Sequence, residues 1–345
     1  MKSLNGNFYN PPFSHIYVER EALAHNRTGE ILARFPHAKV VLIDHYKDVF
    51  CRSRQDYTAQ HMAQNMILAV KHGSLLYEGA PVCQSFGNEY FYYTSCVMNC
   101  VYDCEYCYLK GMYPSGNLVV FVNLEDIFAE IEETLRRHPM YLCVSYDTDL
   151  LAIEHMTGYA SRWIEFVRRQ NERQPGSLKI ELRTKCAGRE FWKNVQPHPG
   201  VICAFTLSPQ AVIDACEHRT PSLEQRILGA AEAMRAGFPV RLCFDPMLYC
   251  RDWRKQYEDM LAQVDARIDM EQLVDVSVGT FRVSQDYLKK MRKNEPYSAV
   301  VQFPYQNDGG VYHYPTELME EMERFMVERL AERIGREKIF QWQET

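Results

Sequence analysis

The stretch Cys96–Tyr113, CVMNCVYDCEYCYLKGMY, decides the fold of this chain. It holds four cysteines, and three of them, Cys100, Cys104 and Cys107, follow the spacing C-x3-C-x2-C. Thiolates are strong metal ligands, and three of them within one short loop favour a metal centre over three unrelated core residues. The sequence therefore predicts that this loop binds a metal centre.

Two kinds of metal centre suit such a group. A structural zinc site takes four ligands, usually as two short pairs separated by a longer span. Here the cysteines form one tight group, and adding Cys96 as a fourth ligand gives a spacing that is unusual for zinc. Three thiolates on a loop after a strand suit a [4Fe–4S] cluster whose fourth iron stays open to a small-molecule ligand. The sequence favours the cluster and leaves a zinc-stabilised binding module as the alternative.

Composition narrows the class of protein. The chain has 345 residues, of which 46% are hydrophobic and 24% charged, as in globular proteins. The first ten residues, MKSLNGNFYN, contain no apolar segment of a secretory signal, and no apolar run is long enough to span a membrane. We therefore expect a cytoplasmic protein without membrane contact, whose 12 cysteines are reduced and serve as core residues, ligands or catalysts.

The net charge of −6 argues against binding by general phosphate neutralisation, so any nucleic-acid contact must rest on a local basic groove. Three groups of basic residues are candidates for that groove, although such groups are more often solvated helix faces. They are Arg168, Arg169, Arg173 and Lys179; Arg251, Arg254 and Lys255; and Arg282, Lys289, Lys290, Arg292 and Lys293.

Short apolar runs alternate with helical patterns from residue 89 onward. Strands are predicted at 89–96, 140–146, 178–184, 201–208, 240–244 and 273–279, and helices at 124–138, 157–170, 222–236 and 253–266. Asn123 is the predicted N-cap of the first of these helices, while Ser222 and Gln225 form a capping box and Gly237 ends that helix. Near-continuously apolar strands separated by helices predict a parallel sheet, here an α/β partial (β/α)6 barrel, with a flavodoxin-like doubly wound sheet as the competing topology.

The two ends of the chain are organised differently from this middle part. Residues 1–85 are predicted as an N-terminal α/β extension with strands at 15–18 and 39–43 and a helix near 57–71. Residues 86–295 form the predicted barrel. Residues 296–345 hold a hairpin at 304–315 and an amphipathic helix at 316–335.

The cysteine spacing, with the aromatic Tyr106 before the last cysteine, resembles the signature of the radical S-adenosylmethionine (SAM) superfamily. Longer stretches resemble the spore photoproduct lyase family in particular. These are the segment 100–128 with its Tyr-Cys-Tyr-Leu and Val-Asn-x-Glu-x-Ile patterns, SYDTDLLAIEHMT at 145–157, LRTK at 182–185 and RTPSLEQRILGAAEAMRAGFPV at 219–240.

That resemblance implies a radical SAM lyase that repairs DNA. A [4Fe–4S] cluster on Cys100, Cys104 and Cys107 would cleave SAM, and the resulting 5′-deoxyadenosyl radical would revert the spore photoproduct, a methylene-linked thymine dimer, to two thymines. The dimer would be swung out of the duplex into the barrel mouth. The implied partners are lesion-containing DNA and an electron donor such as ferredoxin or flavodoxin, in the cytoplasm of a spore or germinating cell.

One residue departs from the family pattern. Better-known members have a hydrogen-donating cysteine at the position aligned with Tyr146. A phenol is a poorer hydrogen donor to a carbon radical than a thiol, so we expect Cys83, in the loop before the first barrel strand, to donate from the opposite wall of the mouth. Cys143 is the rival thiol, but two-residue alternation places it on the other face of the strand from Tyr146, as a buried small residue.

The remaining expected site residues follow from the resemblance and from strand ends. The family's tyrosines beside the last cysteine pack at the adenosyl group or relay a hydrogen, which makes Tyr106 and Tyr108 candidates here, with Tyr108 also for SAM placement. Barrel enzymes place ligands at the carboxyl ends of strands, so polar residues there are candidates for SAM contacts: Thr148, Asp149, Lys185, Thr206 and Ser208. The family's DNA-contacting Arg-Tyr pair has no counterpart in the hairpin 306–310, QNDGG.

Two other functions stay open at this point. A radical SAM enzyme for another nucleic acid or a small substrate would keep the cluster and the SAM site and lack the lesion pocket. A zinc-stabilised nucleic-acid-binding protein would not cleave SAM.

Overall fold

Two parallel sheets dominate the fold in the computed structural model, which describes residues 13–80 and 83–341. The strands are β1 His15–Glu19, β2 Lys39–Ile43, β3 Met66–Ala69, β4 Tyr77–Glu78, β5 Phe91–Tyr93, β6 Val97–Met98, β7 Asp103–Cys104, β8 Leu118–Phe121, β9 Met140–Cys143, β10 Leu178–Thr184, β11 Val201–Thr206, β12 Glu217–His218, β13 Val240–Met247, β14 Asp275–Thr280, β15 Arg282–Ser284, β16 Gln306–Asp308, β17 Val311–His313 and β18 Ile339–Gln341.

The α-helices lie mainly between the strands of the larger sheet. They are α1 Asn26–Leu32, α2 Lys47–Phe50, α3 Tyr57–Met62, α4 Leu109–Met112, α5 Leu124–Leu135, α6 Glu154–Thr157, α7 Tyr159–Arg173, α8 Arg189–Asn194, α9 Gln210–Cys216, α10 Leu223–Arg235, α11 Trp253–Asp265, α12 Gln285–Asn294 and α13 Thr316–Ala331. None of the described helices is long and apolar enough to cross a membrane.

The larger sheet has eight strands in the order β4-β5-β9-β10-β11-β13-β14-β18. Every neighbouring pair from β5 to β18 is parallel, and β4 is antiparallel to β5. Strand β11 is buried along its whole length, because helices cover one face and the inside of the curled sheet is packed with side chains. The six strands from β5 to β14 are the six predicted from the sequence, and the predicted partial barrel is confirmed.

Helix α10 begins and ends as its sequence predicts. The Ser222 hydroxyl accepts from the backbone N–H of Gln225, whose side chain accepts from the Ser222 N–H. Gly237 follows the helix with a φ of 93°, a conformation that costs glycine little. Asn123 is at the N-cap position of α5, but its side chain bonds both backbone polar groups of Lys71 instead of capping, and so ties α5 to the segment after β3.

The predicted helix near 57–71 is wrong beyond Met62. Residues Met66–Ala69 form the fully buried strand β3, which pairs with β1 on one side and β8 on the other. Four apolar residues in a row suit a buried helix and a buried strand equally, so here pairing with two flanking strands overrides the local pattern.

The smaller sheet has the order β2-β1-β3-β8-β6 and is parallel from β2 to β8. It therefore combines strands from both sides of residue 85, and the division of the chain into 1–85, 86–295 and 296–345 stays a prediction. The hairpin β16–β17 and the helix α13 are present as expected, and β18 adds a further parallel strand to the barrel sheet. Residues 1–10, which were expected to contain no secretory signal, lie outside the described part of the chain.

Candidate active site

A cavity of about 420 Å³ lies at the carboxyl ends of the barrel strands. All three motif cysteines, Cys100, Cys104 and Cys107, line it, together with residues from β9, β10, β11, β13 and β14. Parallel strands bring their carboxyl ends to one edge, which is where barrel enzymes build their sites. The sequence motif and the strand ends thus meet in one place.

The cysteine loop is held by hydrogen bonds to its own backbone and to its neighbours. Asn99 has a φ of 70°, which asparagine tolerates better than most residues, and its amide donates to the carbonyls of Ser115 and Asn117, each at 2.7 Å. The short strand β7, which contains Cys104, pairs with β12. The loop is therefore preorganised by elements on both sides of it.

The three motif thiols lie around one cavity. Within residues 13–80 and 83–341, no three His, Cys, Asp or Glu side chains converge so that they could hold one metal ion, as a zinc site would require. In a [4Fe–4S] cluster each thiolate binds a different iron. The donor set, three cysteines around one cavity, fits that group.

Lys185 connects the cysteine loop to a buried ionic network. Its Nζ lies 3.4 Å from Cys104 Sγ and donates to the Tyr106 hydroxyl at 2.8 Å. Tyr106 in turn donates to Glu217, which also pairs with the buried Arg226. Burial alone would raise the pKa of Glu217, but Arg226 and Lys185 hold it at about 2. Tyr106 and Lys185 are thus fixed in place by charges behind them.

Ser208 belongs to this network and is not among the residues that line the cavity. Its hydroxyl donates to Glu217 at 2.7 Å. Thr206, two residues earlier on the same segment, does line the cavity. The expected SAM contact of Ser208 stays a prediction, and the structure gives its hydroxyl another partner.

Cys83 and Tyr146 meet on one wall of the cavity. Cys83 Sγ lies 3.3 Å from the Tyr146 hydroxyl, and both residues line the cavity. Tyr108 donates to the Tyr146 carbonyl at 2.6 Å, and Tyr93 stacks on the Tyr146 ring with centroids 4.5 Å apart. Cys83 therefore reaches the mouth as expected, but it lies beside Tyr146 and does not face it from the opposite wall.

The expected position of Cys143 is wrong. Cys143 also lines the cavity and is only partly buried. Strand β9 ends at Cys143, so the two-residue alternation that would separate its face from that of Tyr146 does not continue to residue 146.

Thr148 and Asp149 line the cavity but differ in the number of hydrogen bonds that their side chains make. In the described part of the chain the Thr148 hydroxyl is buried without a hydrogen-bond partner. Asp149 accepts from the Thr184 hydroxyl and from the backbone N–H groups of Ala152 and Lys185. Its carboxylate is thus engaged in holding the end of β10.

Sequence reasoning missed a polar group on the barrel strands. Arg183 of β10 forms ion pairs with Glu181 at 3.0 Å and Asp245 at 3.2 Å, and Asp245 accepts from the Ser277 hydroxyl at 2.8 Å. All four line the cavity. A signal was present, because Lys179, Glu181 and Arg183 are charged residues at alternate positions of β10, and Lys185 directly follows the strand.

Of the three basic groups, the one around α12 is the least neutralised. Lys289, Lys290 and Lys293 are exposed and have no carboxylate within 4 Å among the described residues, whereas acidic neighbours pair with Arg168 and Arg254. Helix α12 packs on α4, directly after the cysteine loop. Tyr297, just beyond α12, is 98% exposed and was not singled out from the sequence.

Comparisons with known proteins show the family to which the chain belongs. A family model described as spore photoproduct lyase matches residues 12–334. Curated spore photoproduct lyases of Clostridium acetobutylicum and Bacillus subtilis are 25% and 24% identical over 247 and 198 residues. These matches cover 68% and 56% of this chain, and 71% and 56% of the relatives.

Solved structures give the same result for the fold. A spore photoproduct lyase complexed with dinucleoside spore photoproduct has a TM-score of 0.79 at 18% identity, over 96% of this chain and 99% of that one. A mutant with bound AdoMet and the same dinucleoside has a TM-score of 0.79 at 19% identity, over 97% and 100%. By the extent of the family match, the chain belongs to the spore photoproduct lyase family, a family of radical SAM lyases.

Proposed function

We propose that this protein is a DNA repair lyase that reverts the spore photoproduct to two thymines with a SAM-derived radical. The observation that carries the proposal is one cavity in which the three motif cysteines lie with a thiol–tyrosine pair, Cys83 and Tyr146. Support comes from the family, in which a solved relative is complexed with the dinucleoside lesion.

Cys100, Cys104 and Cys107 would hold a [4Fe–4S] cluster, and SAM would bind beside it. When bound, the two together would supply a 5′-deoxyadenosyl radical able to remove a hydrogen from the methylene-linked thymine dimer, whose bridge then fragments. Thr148, which follows β9, and Thr206, which ends β11, line the cavity and are the proposed threonine contacts to SAM. Lys185 supplies a fixed positive charge beside Cys104 that offsets the negative charge of the thiolates.

Cys83 is the proposed hydrogen donor to the product radical. Its S–H bond breaks and a C–H bond forms on the thymine, which leaves the unpaired electron on Sγ. The Tyr146 hydroxyl, 3.3 Å from Sγ, can return a hydrogen atom to it. This pair would stand in for the family's usual cysteine, which is absent at position 146.

Tyr106 and Tyr108 have different proposed roles. Tyr108 donates to the Tyr146 carbonyl and so orients the segment that carries Tyr146, while its own ring lies in the cavity wall where an adenosyl group or a radical relay would be placed. Tyr106 lies between two of the motif cysteines in the chain, and its hydroxyl is held by Lys185 and Glu217.

DNA would approach the cavity over helix α12. Lys289, Lys290 and Lys293 present positive charge without carboxylate partners within 4 Å among the described residues, and Tyr297 offers an exposed ring on which a base could stack. A small iron–sulfur or flavin protein of the ferredoxin or flavodoxin type would supply the electron.

The test is anaerobic reconstitution with iron and sulfide, followed by reduction with dithionite and incubation with SAM and the dinucleoside spore photoproduct. We expect brown protein, 5′-deoxyadenosine, methionine and recovered thymine. SAM cleavage without thymine would indicate a radical SAM enzyme for another substrate. Zinc in place of iron, with no SAM cleavage, would overturn the proposal.

A further inference from the structure

The smaller sheet has a second cavity, of about 380 Å³, at the carboxyl ends of β2, β3 and β8. The polar residues that line it include Lys47, Lys71 and Asp147. Asp147 accepts from the Ser95 hydroxyl, and Tyr93, in the same wall, stacks between Tyr77 and Tyr146 with ring centroids 5.2 and 4.5 Å away. Asp147 and Tyr93 thus have partners within the protein, whereas the outer edge of the same sheet pairs with no strand of the described chain.

Strand β2 forms that outer edge. It pairs with β1 on one side, in a parallel register that runs from His15 and Lys39 to Glu19 and Ile43. No strand within residues 13–80 and 83–341 pairs with its other side. An unpaired strand edge presents a row of backbone N–H and C=O groups to which a further strand can bind. Strand β2 can therefore accept one more strand.

The other edges of the two large sheets are shorter than β2. Strands β4 and β6 have two residues each and β18 has three, whereas β2 has five. Very short edge strands are one way in which proteins prevent association from edge to edge. Strand β2 contains no proline, and its five pairs with β1 follow one another without a bulge. Three edges are thus protected by their shortness, and β2 is not.

The side chains of β2 are apolar and exposed on both faces of the sheet. Val40, Val41 and Leu42 are 48%, 38% and 43% exposed. The residues of β1 that pair with Val40 and Leu42 are Ile16 and Val18, and both are fully buried. The packing that covers β1 therefore ends before β2. Three consecutive apolar side chains on an open edge strand indicate an interaction surface.

The backbone of β2 limits the register in which another strand can bind. The Lys39 N–H and the Ile43 carbonyl form hydrogen bonds to the residues directly before and after β1, at 3.1 and 3.0 Å. Because backbone groups of successive strand residues point to opposite sides, Val40 and Leu42 direct theirs to the open edge. A further strand must therefore bond to Val40 and Leu42.

We propose that β2 binds β2 of a second copy of this chain, antiparallel to it, about a twofold axis at Val41. In this register Val40 of each copy exchanges backbone hydrogen bonds with Leu42 of the other, and the two Val41 side chains lie opposite each other. Every contact occurs twice, as a twofold interface requires. The two five-stranded sheets join into one sheet of ten strands.

The charges at the ends of β2 favour the antiparallel arrangement. Lys39 begins the strand, and Asp44 follows it and is 86% exposed beside its partner Arg20. Antiparallel pairing brings the Lys39 end of one copy to the Asp44 end of the other. Parallel pairing of the same two strands would place the Lys39 side chains opposite each other, which is unfavourable.

The interface is small, so we expect a reversible dimer. Two five-residue strands bury less than the roughly 1,600 Å² of a standard interface, and we expect a dissociation constant on the order of 10 µM. Strand β2 lies at the opposite edge of the smaller sheet from β6, which precedes the cysteine loop. The inference therefore does not rest on the proposed function.

The test is sedimentation velocity of the full chain from about 1 to 100 µM, a range that brackets the expected constant. We expect a monomer at the low end and a dimer at the high end. Val41→Lys should raise the dissociation constant at least about tenfold, because it places like charges opposite each other. Val274→Lys is the matched control, since Val274 is 39% exposed and lies outside β2, and it should leave the constant unchanged.

Two further variants test the register and guard against misfolding. An equimolar mixture of Val41→Lys and Val41→Glu should dimerise at concentrations at which each variant alone is monomeric, because opposite charges then meet at the axis. Leu42→Pro removes an outward N–H and leaves the bonds to β1 in place, so it should also weaken the dimer. Circular dichroism checks that each variant is folded.

A monomer at every concentration would overturn the inference. So would a dimer that neither Val41→Lys nor Leu42→Pro weakens, since its interface would lie elsewhere. A mixture of the two charged variants that stays monomeric would overturn the axis at Val41. SAM cleavage plays no part in these measurements, so their outcome is separate from that of the proposed function.

Discussion

The two cavities occupy equivalent positions in the two sheets but differ in their side chains. Each lies at the carboxyl ends of parallel strands, and their volumes are similar, about 420 and 380 Å³. The first is lined by the three motif cysteines and by ion-paired side chains of the barrel strands. The second has aromatic rings, and its lysines have no carboxylate within 4 Å in the described residues. The strand ends thus provide the position, and the residues on and after them determine which chemistry each position can support.

The largest expected effect is confined to the first cavity. Replacing Cys100, Cys104 or Cys107 with alanine should abolish SAM cleavage, because an iron then loses its thiolate ligand. Iron content and 5′-deoxyadenosine are the measurements. Cys96→Ala is the matched control, since Cys96 is buried in the core and does not line the cavity. A triple alanine variant that still carries the cluster would contradict the ligand assignment.

The next effect distinguishes residues within the first cavity. Cys83→Ala should keep SAM cleavage and lose most thymine recovery, with adducts from solvent or reductant replacing thymine, because the product radical lacks its thiol donor. Product chromatography measures both. Tyr146→Phe should have a smaller effect. Clean repair by Cys83→Ala together with failure of Cys143→Ala would place the donor at Cys143, the other thiol in the cavity wall.

The third prediction tests the ion pairs of the barrel strands that line the first cavity. Glu181 is buried and bonded to Tyr141, Arg183 and Arg241. Glu181→Gln should lower the free energy of unfolding by about 1–3 kcal/mol, because Arg241 and Arg183 each lose one carboxylate partner while keeping Asp275 and Asp245. Denaturant unfolding measures it. Glu165→Gln, in an exposed pair, should change it by no more than about 0.5 kcal/mol.

The same carboxylate predicts a pH dependence. Burial alone would raise the pKa of Glu181, but Arg183 and Arg241 lower it to about 2, below its usual value of 4.5. A lowered folded-state pKa stabilises the protein fully above the unfolded pKa, and that stabilisation is lost as pH falls from about 4.5 toward 2. Glu181→Gln should flatten this part of the stability curve. If the variant lost stability below about pH 4.5 as steeply as the unchanged protein, the ion pairs of Glu181 with Arg183 and Arg241 would be contradicted.

The smallest expected effect concerns the surface outside both cavities. Lys289→Glu with Lys290→Glu should weaken DNA binding roughly tenfold and reduce its salt dependence, because two phosphate contacts are lost. Fluorescence anisotropy at several salt concentrations measures both quantities. Lys255→Glu is the control, because Lys255 is already paired with Asp259 on helix α11. Binding indifferent to salt and to the double change would argue for a substrate other than nucleic acid.

The sequence predicted the first cavity far better than the second. The cysteine spacing and six apolar strands sufficed to place Cys100, Thr148, Lys185 and Thr206 at one edge, because each signal lies within a short segment. The orientation of Cys143 was predicted wrongly because the sequence does not show that β9 ends at Cys143 and does not continue to residue 146. Arg183 was missed although its alternation with two other charges on β10 was present.

The second cavity could not be predicted from local pattern. It depends on β3, whose sequence pattern predicts the continuation of a helix. In the structure β3 is a strand because it pairs with β1 and β8. Its key polar residues, Lys47, Lys71 and Asp147, come from three distant segments. Only the tertiary pairing of the smaller sheet brings them together, and no spacing in the sequence encodes that.

The most direct test of the account is repair of the dinucleoside spore photoproduct in D2O. A thiol exchanges its hydrogen with solvent, whereas the methyl hydrogens of 5′-deoxyadenosine do not. If Cys83 quenches the product radical, recovered thymine carries one deuterium, and the label falls with thymine yield in Cys83→Ala. Recovered thymine without deuterium, or no thymine at all from protein that cleaves SAM, would contradict the account.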